Sequence, residues 1–322
     1  MDVNMKQRNS IWDNVQKELE KLDLDEKTKK ILFENLLKLK VQKINILLAG
    51  ATGCGKSSTI NSLFDIEIAK VGYGVDPETM EIANYELDNL ILWDSPGLGD
   101  SPENDSKHSQ AIIKKLHEKD INGDALIDLV LVIIDGSSRD MGTSYELINK
   151  VIIPNMEQKD RILIAINQCD NAMKGEGWNF QMNSPNPELE QFLDDKVNSV
   201  KRRIIESTNV EIEPIYYSAL HKYNISKLLS FIIKHTPSEK RAVYINNLNK
   251  NPEVWKSNDS GNDYNGEINS DFEISLLNGL KGAKDGAIVG YQIGKIIPVI
   301  GPVVGATVGA AIGFIGGLFS KK

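Results

Sequence analysis

Residues 43–64 read "KINILLAGATGCGKSSTINSLF", and the stretch changes character twice along its length. KINILLAG (43–50) is an almost unbroken aliphatic run of strand length, ATGCG (51–55) is a glycine-rich turn, and KSSTINSLF (56–64) is helix-like. Gly50, Gly55, Lys56 and Ser57 satisfy G-x-x-x-x-G-K-[ST]. Glycines let several backbone N–H groups converge on one concavity, and the helix that follows adds the positive end of its dipole, so a polyphosphate is held mostly by main chain. The expected cradle is Gly50, Ala51, Thr52, Gly53, Cys54, Gly55, Lys56, Ser57 and Ser58. Lys56 should reach the β- and γ-phosphates, and the Ser57 hydroxyl should ligate a Mg²⁺ that bridges them. The alternative is a chance match in an ordinary strand-to-helix turn; the strand before it and the helix after it stand against that.

Outward from this stretch, short apolar runs alternate with helix-like segments. Strand candidates are 43–50, 80–87, 89–94, 126–135, 161–167 and 213–218, and helix candidates are 56–64, 106–119, 143–157, 187–207 and 223–235. Nearly continuous aliphatic strands are those covered on both faces, so the alternation predicts an α/β fold with a doubly wound, mostly parallel sheet. The second and third candidates are joined by a turn at 88–89, too short for a crossover, which predicts one antiparallel strand.

A chain of 322 residues with net charge −8 holds one such domain plus flanking elements, and its charge argues against nucleic-acid binding through bulk charge. The start, MDVNMKQRNS, has no apolar core of the signal-peptide kind, and the two cysteines, Cys54 and Cys169, suggest a reducing, cytoplasmic setting. Cys54 sits inside the phosphate loop, either as a small filler or as a thiol made reactive by the positive surroundings.

Three further signals lie at strand ends. In WDSPGLGD (93–100), Asp94 and Gly97 form D-x-x-G, in which the carboxylate can hold Mg²⁺ and the glycine N–H can reach a γ-phosphate. In NQCD (167–170), Asp170 can accept both N1–H and the exocyclic amine of guanine, a donor pair adenine lacks, while Asn167 braces the neighbouring loops. In YYSAL (216–220), Ser218 and Ala219 can present a backbone N–H to the guanine carbonyl. Each is weak alone; their common position at the carboxyl ends of strands, where open α/β sheets bind ligands, gives them weight.

Together Gly50–Ser57, Asp94–Gly97, Asn167–Asp170 and Ser218–Ala219 resemble the guanine-nucleotide signature of Ras-like GTPases. The wording LLAGATGCGKSSTINSLF and LWDSPGLGD is more similar to the Era-like branch, with its ribosome-assembly-type and immunity-related-type relatives, over about 41–238. The resemblance implies Mg·GTP as ligand, slow hydrolysis to GDP, and loops that sense the γ-phosphate. It also implies a threonine on Mg²⁺ and the γ-phosphate; Thr79, in VGYGVDPETMEI, is the candidate, against the reading of a plain surface loop. The implied catalytic set is then Lys56, Thr79 and Gly97, and the implied metal set Ser57, Thr79 and Asp94.

Two positions depart from the pattern. Gln168 replaces the lysine whose stem covers the base, and Leu98 stands where Ras-type enzymes carry the glutamine that orients the attacking water. Asp100, Ser101 and Arg139 are near enough in sequence to supply that group, and a partner or dimer mate is the other source.

The flanks divide the chain into 1–40, an N-terminal amphipathic helical segment; 41–238, the GTPase domain; 239–271, a helical extension and polar linker; and 272–322, a glycine-zipper tail. Leu19, Leu22, Leu32, Leu36 and Leu39 are spaced as on amphipathic helices, to pack on the chain's own domain or on a partner. SNDSGNDYNGEINS (257–270) reads as a flexible linker. Beyond it Gly282, Gly286, Gly290 and Gly294, then Gly301, Gly305, Gly309, Gly313 and Gly317, recur every fourth residue on either side of PVIGP. Repeated glycine weakens a helix in water, by about 0.8–1.0 kcal/mol each relative to alanine, so the stripes need lipid or close helix packing. The expectations for 282–320 are membrane insertion, a soluble helical pair or homo-oligomer, or a disordered tail. The expected whole is a slow GTPase switch whose nucleotide state controls this tail; the alternatives are a membrane-active effector gated by GTP and a ribosome-assembly GTPase.

Overall fold

The computed structural model describes residues 11–280, apart from 22, 65–81, 88, 100 and 260–261. Thr79, Asp100 and the glycine-rich stretch 282–320 therefore lie outside the described residues. Two helices, α1 (Ile11–Glu20) and α2 (Glu26–Val41), precede β1 (Ile44–Gly50) and α3 (Lys56–Leu63). Then come β2 (Ala83–Leu87), β3 (Leu90–Asp94), α4 (Pro102–His117), β4 (Leu129–Asp135) and α5 (Gly142–Glu146). A π-type turn, Leu147–Ile152, joins α5 to the short α6 (Ile153–Asn155), so the helix expected at 143–157 is a broken one. β5 (Ile162–Asn167), the hairpin β6 (Trp178–Asn179) and β7 (Ser184–Pro185), α7 (Pro187–Thr208), β8 (Ile215–Tyr216), α8 (Ile225–His235) and α9 (Tyr264–Gly279) complete the order.

The main sheet has the order β2-β3-β1-β4-β5-β8. β2 runs antiparallel to β3, with Ala83 opposite Asp94, and the other neighbours are parallel, as the tight 88–89 turn predicts. Period-2 alternation explains the unbroken apolar runs. Ile46, Leu48, Leu131 and Leu163 face one helical layer, and Leu47, Val130, Val132 and Ile164 face the other. The register sets Leu48 beside Asp94, Gly50 beside Ile133 and Asp135 beside Asn167, so all the motif-bearing strand ends emerge on one edge.

The flanks are part of the core. Trp12, Val15, Leu19, Leu32, Leu36 and Leu39 are buried in the same cluster as Ile46 and Leu48; α2 starts at Asp25, whose carboxylate accepts from the Thr28 N–H at 2.9 Å. The N-terminal helices thus pack on their own domain. The linker expectation for 257–270 is corrected. The Asn224 N–H donates to the Ser257 carbonyl at 2.8 Å. Lys227 pairs with Asp259 at 2.5 Å, and Asp263 caps α9 by accepting from the Gly266 N–H at 2.9 Å. Ile268, Phe272 and Leu276 are fully buried on one face of α9. Their spacing of four is helical; the polar residues around them obscured it. Gly279 ends the helix where a Cβ would run into Leu39.

Candidate functional site

The phosphate loop owes its shape to three glycines. A Cβ on Gly50 would run into the Ile133 carbonyl oxygen, and one on Gly55 into the Asn167 side-chain amide; Gly53 and Gly55 also have φ of 76° and 93°, the left-handed region. Gly55 is the N-cap of α3 and supplies no side-chain cap, which leaves the first-turn N–H groups for an anion. Lys56 Nζ donates to the carbonyl oxygens of Gly50 and Ala51, both at 3.2 Å, and so lies across the loop.

The D-x-x-G segment lies on this loop. The Thr52 N–H donates to the Leu98 carbonyl at 3.0 Å and the Leu98 N–H to the Gly50 carbonyl at 3.4 Å, a short parallel bridge. Gly97 is required there because a Cβ would run into Thr52. Asp94, at the end of β3, keeps one carboxylate oxygen buried without a hydrogen-bond partner. Burial pushes its carboxyl above the usual range, and the Lys56 ammonium acts in the opposite direction. An orphaned carboxylate oxygen and the hydroxyl of Ser57 are hard oxygen donors, the set Mg²⁺ takes.

The base-reading loops are tied together by Asn167, which is buried. Its amide donates to the Cys54 carbonyl at 2.9 Å, and its Oδ1 accepts from the Ala219 N–H at 3.0 Å, the bracing role the sequence predicts. Gln168, in the left-handed conformation at φ 59°, donates from Nε2 to the Gly53 carbonyl at 3.0 Å and ties the base end to the phosphate end. Asp170 keeps Oδ1 buried and without a partner. The two backbone N–H groups expected to meet the guanine carbonyl are engaged within the chain, that of Ser218 on the Tyr223 carbonyl and that of Ala219 on Asn167, both at 3.0 Å, and the Ser218 hydroxyl accepts from the His221 N–H at 3.1 Å. Ala51, Thr52, Gly53, Cys54, Ser57 and Ser58 all lie in or directly after the phosphate loop, so the structure brings every described member of the predicted set to one edge.

Cys54 is fully buried and burial, the dominant influence, pushes its thiol up, which fits the small-filler reading of the two. Ser101 is the N-cap of α4, its hydroxyl accepting from the Asn104 N–H at 3.3 Å. Arg139 lines a cleft of about 800 Å³ together with Lys196, Arg203 and, from the loop after Asp170, Met173 and Lys174. Sequence reasoning missed three contacts. Tyr217 and Thr59 share a hydrogen bond of 2.5 Å beneath the phosphate loop; Asn249 grips the end of α3; and His221 Nε2 lies 3.6 Å from Asp170 Oδ2. Only the position of His221, directly after Ser218–Leu220, was a signal within reach.

Comparison with known proteins agrees with this geometry. Residues 45–168 match the family described as "50S ribosome-binding GTPase". The stretch is a P-loop GTPase domain of that broad class. No curated protein matches the chain. Among solved structures, it is similar to a probable GTP-binding protein engB (22% identity, 59% of this chain and 97% of that one, TM-score 0.37). It is also similar to Toc33 from Arabidopsis thaliana in complex with Mg²⁺ and GMPPNP (17%, 63% and 82%, TM-score 0.40), and to the G domain of the T. maritima FeoB iron transporter (19%, 60% and 99%, TM-score 0.34). Likenesses of this strength bear on nothing further.

Proposed function

We propose that the chain is a cytoplasmic switch that binds Mg·GTP, hydrolyses it slowly to GDP, and passes the nucleotide state to the glycine-rich part of the tail beyond residue 280, which associates with a membrane or with copies of itself; the first tail residues, Phe272 and Leu276, are buried against the domain. The observation that carries this reading is the grip of the C-terminal extension on the helix that follows the phosphate loop. Asn249 donates from its backbone N–H to the Leu63 carbonyl at 3.0 Å and from its amide to the carbonyls of Asn61 and Ser62 at 3.1 and 3.3 Å. Phe64 pairs with Leu248 as a β-bridge and stacks on Tyr244 with ring centroids 6.4 Å apart. The chain then runs through Trp255, whose indole donates to the Asn249 carbonyl at 2.9 Å, into α9 and so to residue 280. Residues 65–81, which contain Thr79, begin directly beyond Phe64. A change there on binding of the γ-phosphate therefore acts on the same short joint that holds the tail's root.

In hydrolysis, the phosphate-loop N–H groups and Lys56 hold the β- and γ-phosphates and offset the charge that develops on them. Ser57 and Asp94, with Thr79, would hold Mg²⁺, which would supply positive charge to offset that of the phosphates. Asp170 fixes the base, and Asn167 sets its loop against the phosphate loop. Leu98 is aliphatic and only 5% exposed, so it aligns no water. Turnover is slow until a partner or a second copy supplies that group.

The test is co-sedimentation of the full-length protein with anionic liposomes in GDP and in a non-hydrolysable GTP analogue. The expected result is binding that depends on nucleotide, lost in Gly305→Glu/Gly309→Glu with GTP affinity nearly unchanged, and made independent of nucleotide by Asn249→Ala. Equal pelleting and equal oligomer size in both nucleotides would overturn the switch. The family's description is compatible with a second reading, a ribosome-assembly GTPase; nucleotide-dependent co-sedimentation with ribosomes and not with liposomes would establish it. Liposome leakage in the same assay would mark a membrane-active effector.

A further inference from the structure

The geometry points to His221 as a positioning residue for guanine selection: its Nε2 faces Asp170 Oδ2 at 3.6 Å and, when nucleotide binds, closes on it as a donor and fixes the plane of the carboxylate that reads the base. The inference rests on the assignment of Asp170 to guanine.

A lone aspartate is poorly suited to a two-point contact. Its terminal torsion is broad and roughly two-fold, so nothing in the side chain itself aims both oxygens at guanine's N1–H and exocyclic amine. Here the two oxygens are in different situations. Oδ1 is buried with no partner, and Oδ2 lies 3.6 Å from the His221 ring nitrogen. That separation is longer than a hydrogen bond, and a shift of a few tenths of an ångström closes it, as catalytic contacts commonly close when ligand arrives.

The imidazole is in turn held from several sides. Its ring packs on Trp178, centroids 5.6 Å apart, and meets Phe180 edge-on at 5.7 Å. The His221 N–H donates to the Ser218 hydroxyl, and the His221 carbonyl accepts from the Asn183 amide at 2.7 Å. Trp178, Phe180 and Asn183 all belong to the β6–β7 hairpin region, which thereby pins a histidine whose tip faces the base-reading carboxylate. A carboxylate oxygen has more than one lone pair, so Oδ2 can accept from His221 and from guanine together. With the plane set by His221, Oδ1 is left for the second guanine donor.

Two substitutions separate this role from simple packing. His221→Phe keeps a ring against Trp178 and Phe180 and removes the N–H; His221→Gln restores a donor of similar reach. The readout is the affinity for GDP and for IDP, whose base lacks the exocyclic amine. Both are measured on one preparation, so that any unfolded fraction cancels in the ratio. His221→Phe should bind GDP about tenfold more weakly, with the GDP/IDP ratio falling towards one, because two-point contact is worth about that per charge-assisted hydrogen bond. His221→Gln should stay within about threefold of wild type in both. A wild-type GDP/IDP ratio in His221→Phe, or a His221→Gln no better than His221→Phe, overturns the proposal. If wild type binds ADP as well as GDP, the guanine assignment itself fails, and this inference falls with it.

Discussion

The phosphate end and the base end of the site are built on opposite plans. At the phosphate end the proposed cradle is mostly main chain, joined by the Lys56 and Ser57 side chains and shaped by glycines whose Cβ would clash: Gly50 with Ile133, Gly55 with Asn167, Gly97 with Thr52. At the base end the groups are side chains: Asn167 is tied by two hydrogen bonds and Gln168 by one, while Asp170 Oδ1, in the proposed base reader, has no partner. A main-chain cradle either forms or does not, whereas a side-chain reader can be altered one contact at a time. Substitutions at the two ends should therefore differ in kind, affinity for any nucleotide at one and choice of base at the other.

The largest effect is expected at the phosphate end. Lys56→Ala and Ser57→Asn should each lower affinity for Mg·GTP by about 10³-fold or more, through loss of a charge-assisted contact at the phosphates or of a hard ligand on the metal. Fold should be retained, because Lys56 reaches only the carbonyls of its own loop. Titration calorimetry with a circular-dichroism melt checks both parts. Near-wild-type affinity in both variants would remove the phosphate loop from the site.

Next is Asp170→Asn, which swaps an acceptor pair for one donor and one acceptor. GTP affinity should fall by about 10²-fold, the worth of one or two charge-assisted hydrogen bonds, while xanthosine triphosphate, whose base offers the matching pattern, should gain. A competition assay with both nucleotides reads the inversion. An unchanged preference for GTP would show that the base is read elsewhere, and would erase the contrast between the two ends.

The two ends were also unequally legible in the sequence. Gly50, Gly55, Lys56 and Ser57 act at fixed spacing within one turn, so their geometry was readable without the fold, and the same holds for the β2–β3 hairpin, forced by a two-residue turn. Asp170 and Ser218 were readable only by order along the chain. His221 offered only its position just after Ser218–Leu220, and Asn249 nothing, because their roles depend on the packing of the hairpin at Trp178–Pro185 and of the segment around Leu248, whose sequences carry no periodic signal. The segment 257–270 is polar in composition, and the stripe Ile268, Phe272 and Leu276 that marks its second half as helix lies mostly beyond it. Thr79 and the glycine-rich stripe remain readings of the sequence alone.

Leu98 belongs to both plans, since its backbone pairs with the phosphate loop and its side chain is buried with Ile112 and Ile148. Leu98→Ala should therefore cost about 2–3 kcal/mol of stability, as a buried leucine does, and change kcat less than tenfold. Chemical denaturation and single-turnover hydrolysis separate the two numbers. A drop in kcat beyond about 10²-fold at unchanged stability would mean that this side chain acts on the reaction and that the slow-turnover argument is misplaced.

The smallest expected effect tests whether the phosphate end is strained in the absence of nucleotide. Burial raises the Asp94 carboxyl in the folded chain above its value in the unfolded one, so between those two values the folded state holds the extra proton. Stability in that window then falls as pH rises, and above it the ionised, buried carboxylate is a standing cost to the nucleotide-free protein. Removing the charge should relieve it. Asp94→Asn is expected to raise the nucleotide-free Tm at pH 7 by about 2–4 °C, the shift that roughly 1 kcal/mol produces in a chain of this size. The difference should shrink as pH is lowered towards the carboxylate range, where the wild-type side chain is itself neutral. The same variant should lose Mg²⁺-dependent strengthening of GTP binding, because the oxygen left without a partner is the one suited to the metal. A lower Tm in Asp94→Asn at pH 7 would show that the ionised carboxylate is already satisfied in the empty site, and that the phosphate end, like the base end, waits for its ligand without strain.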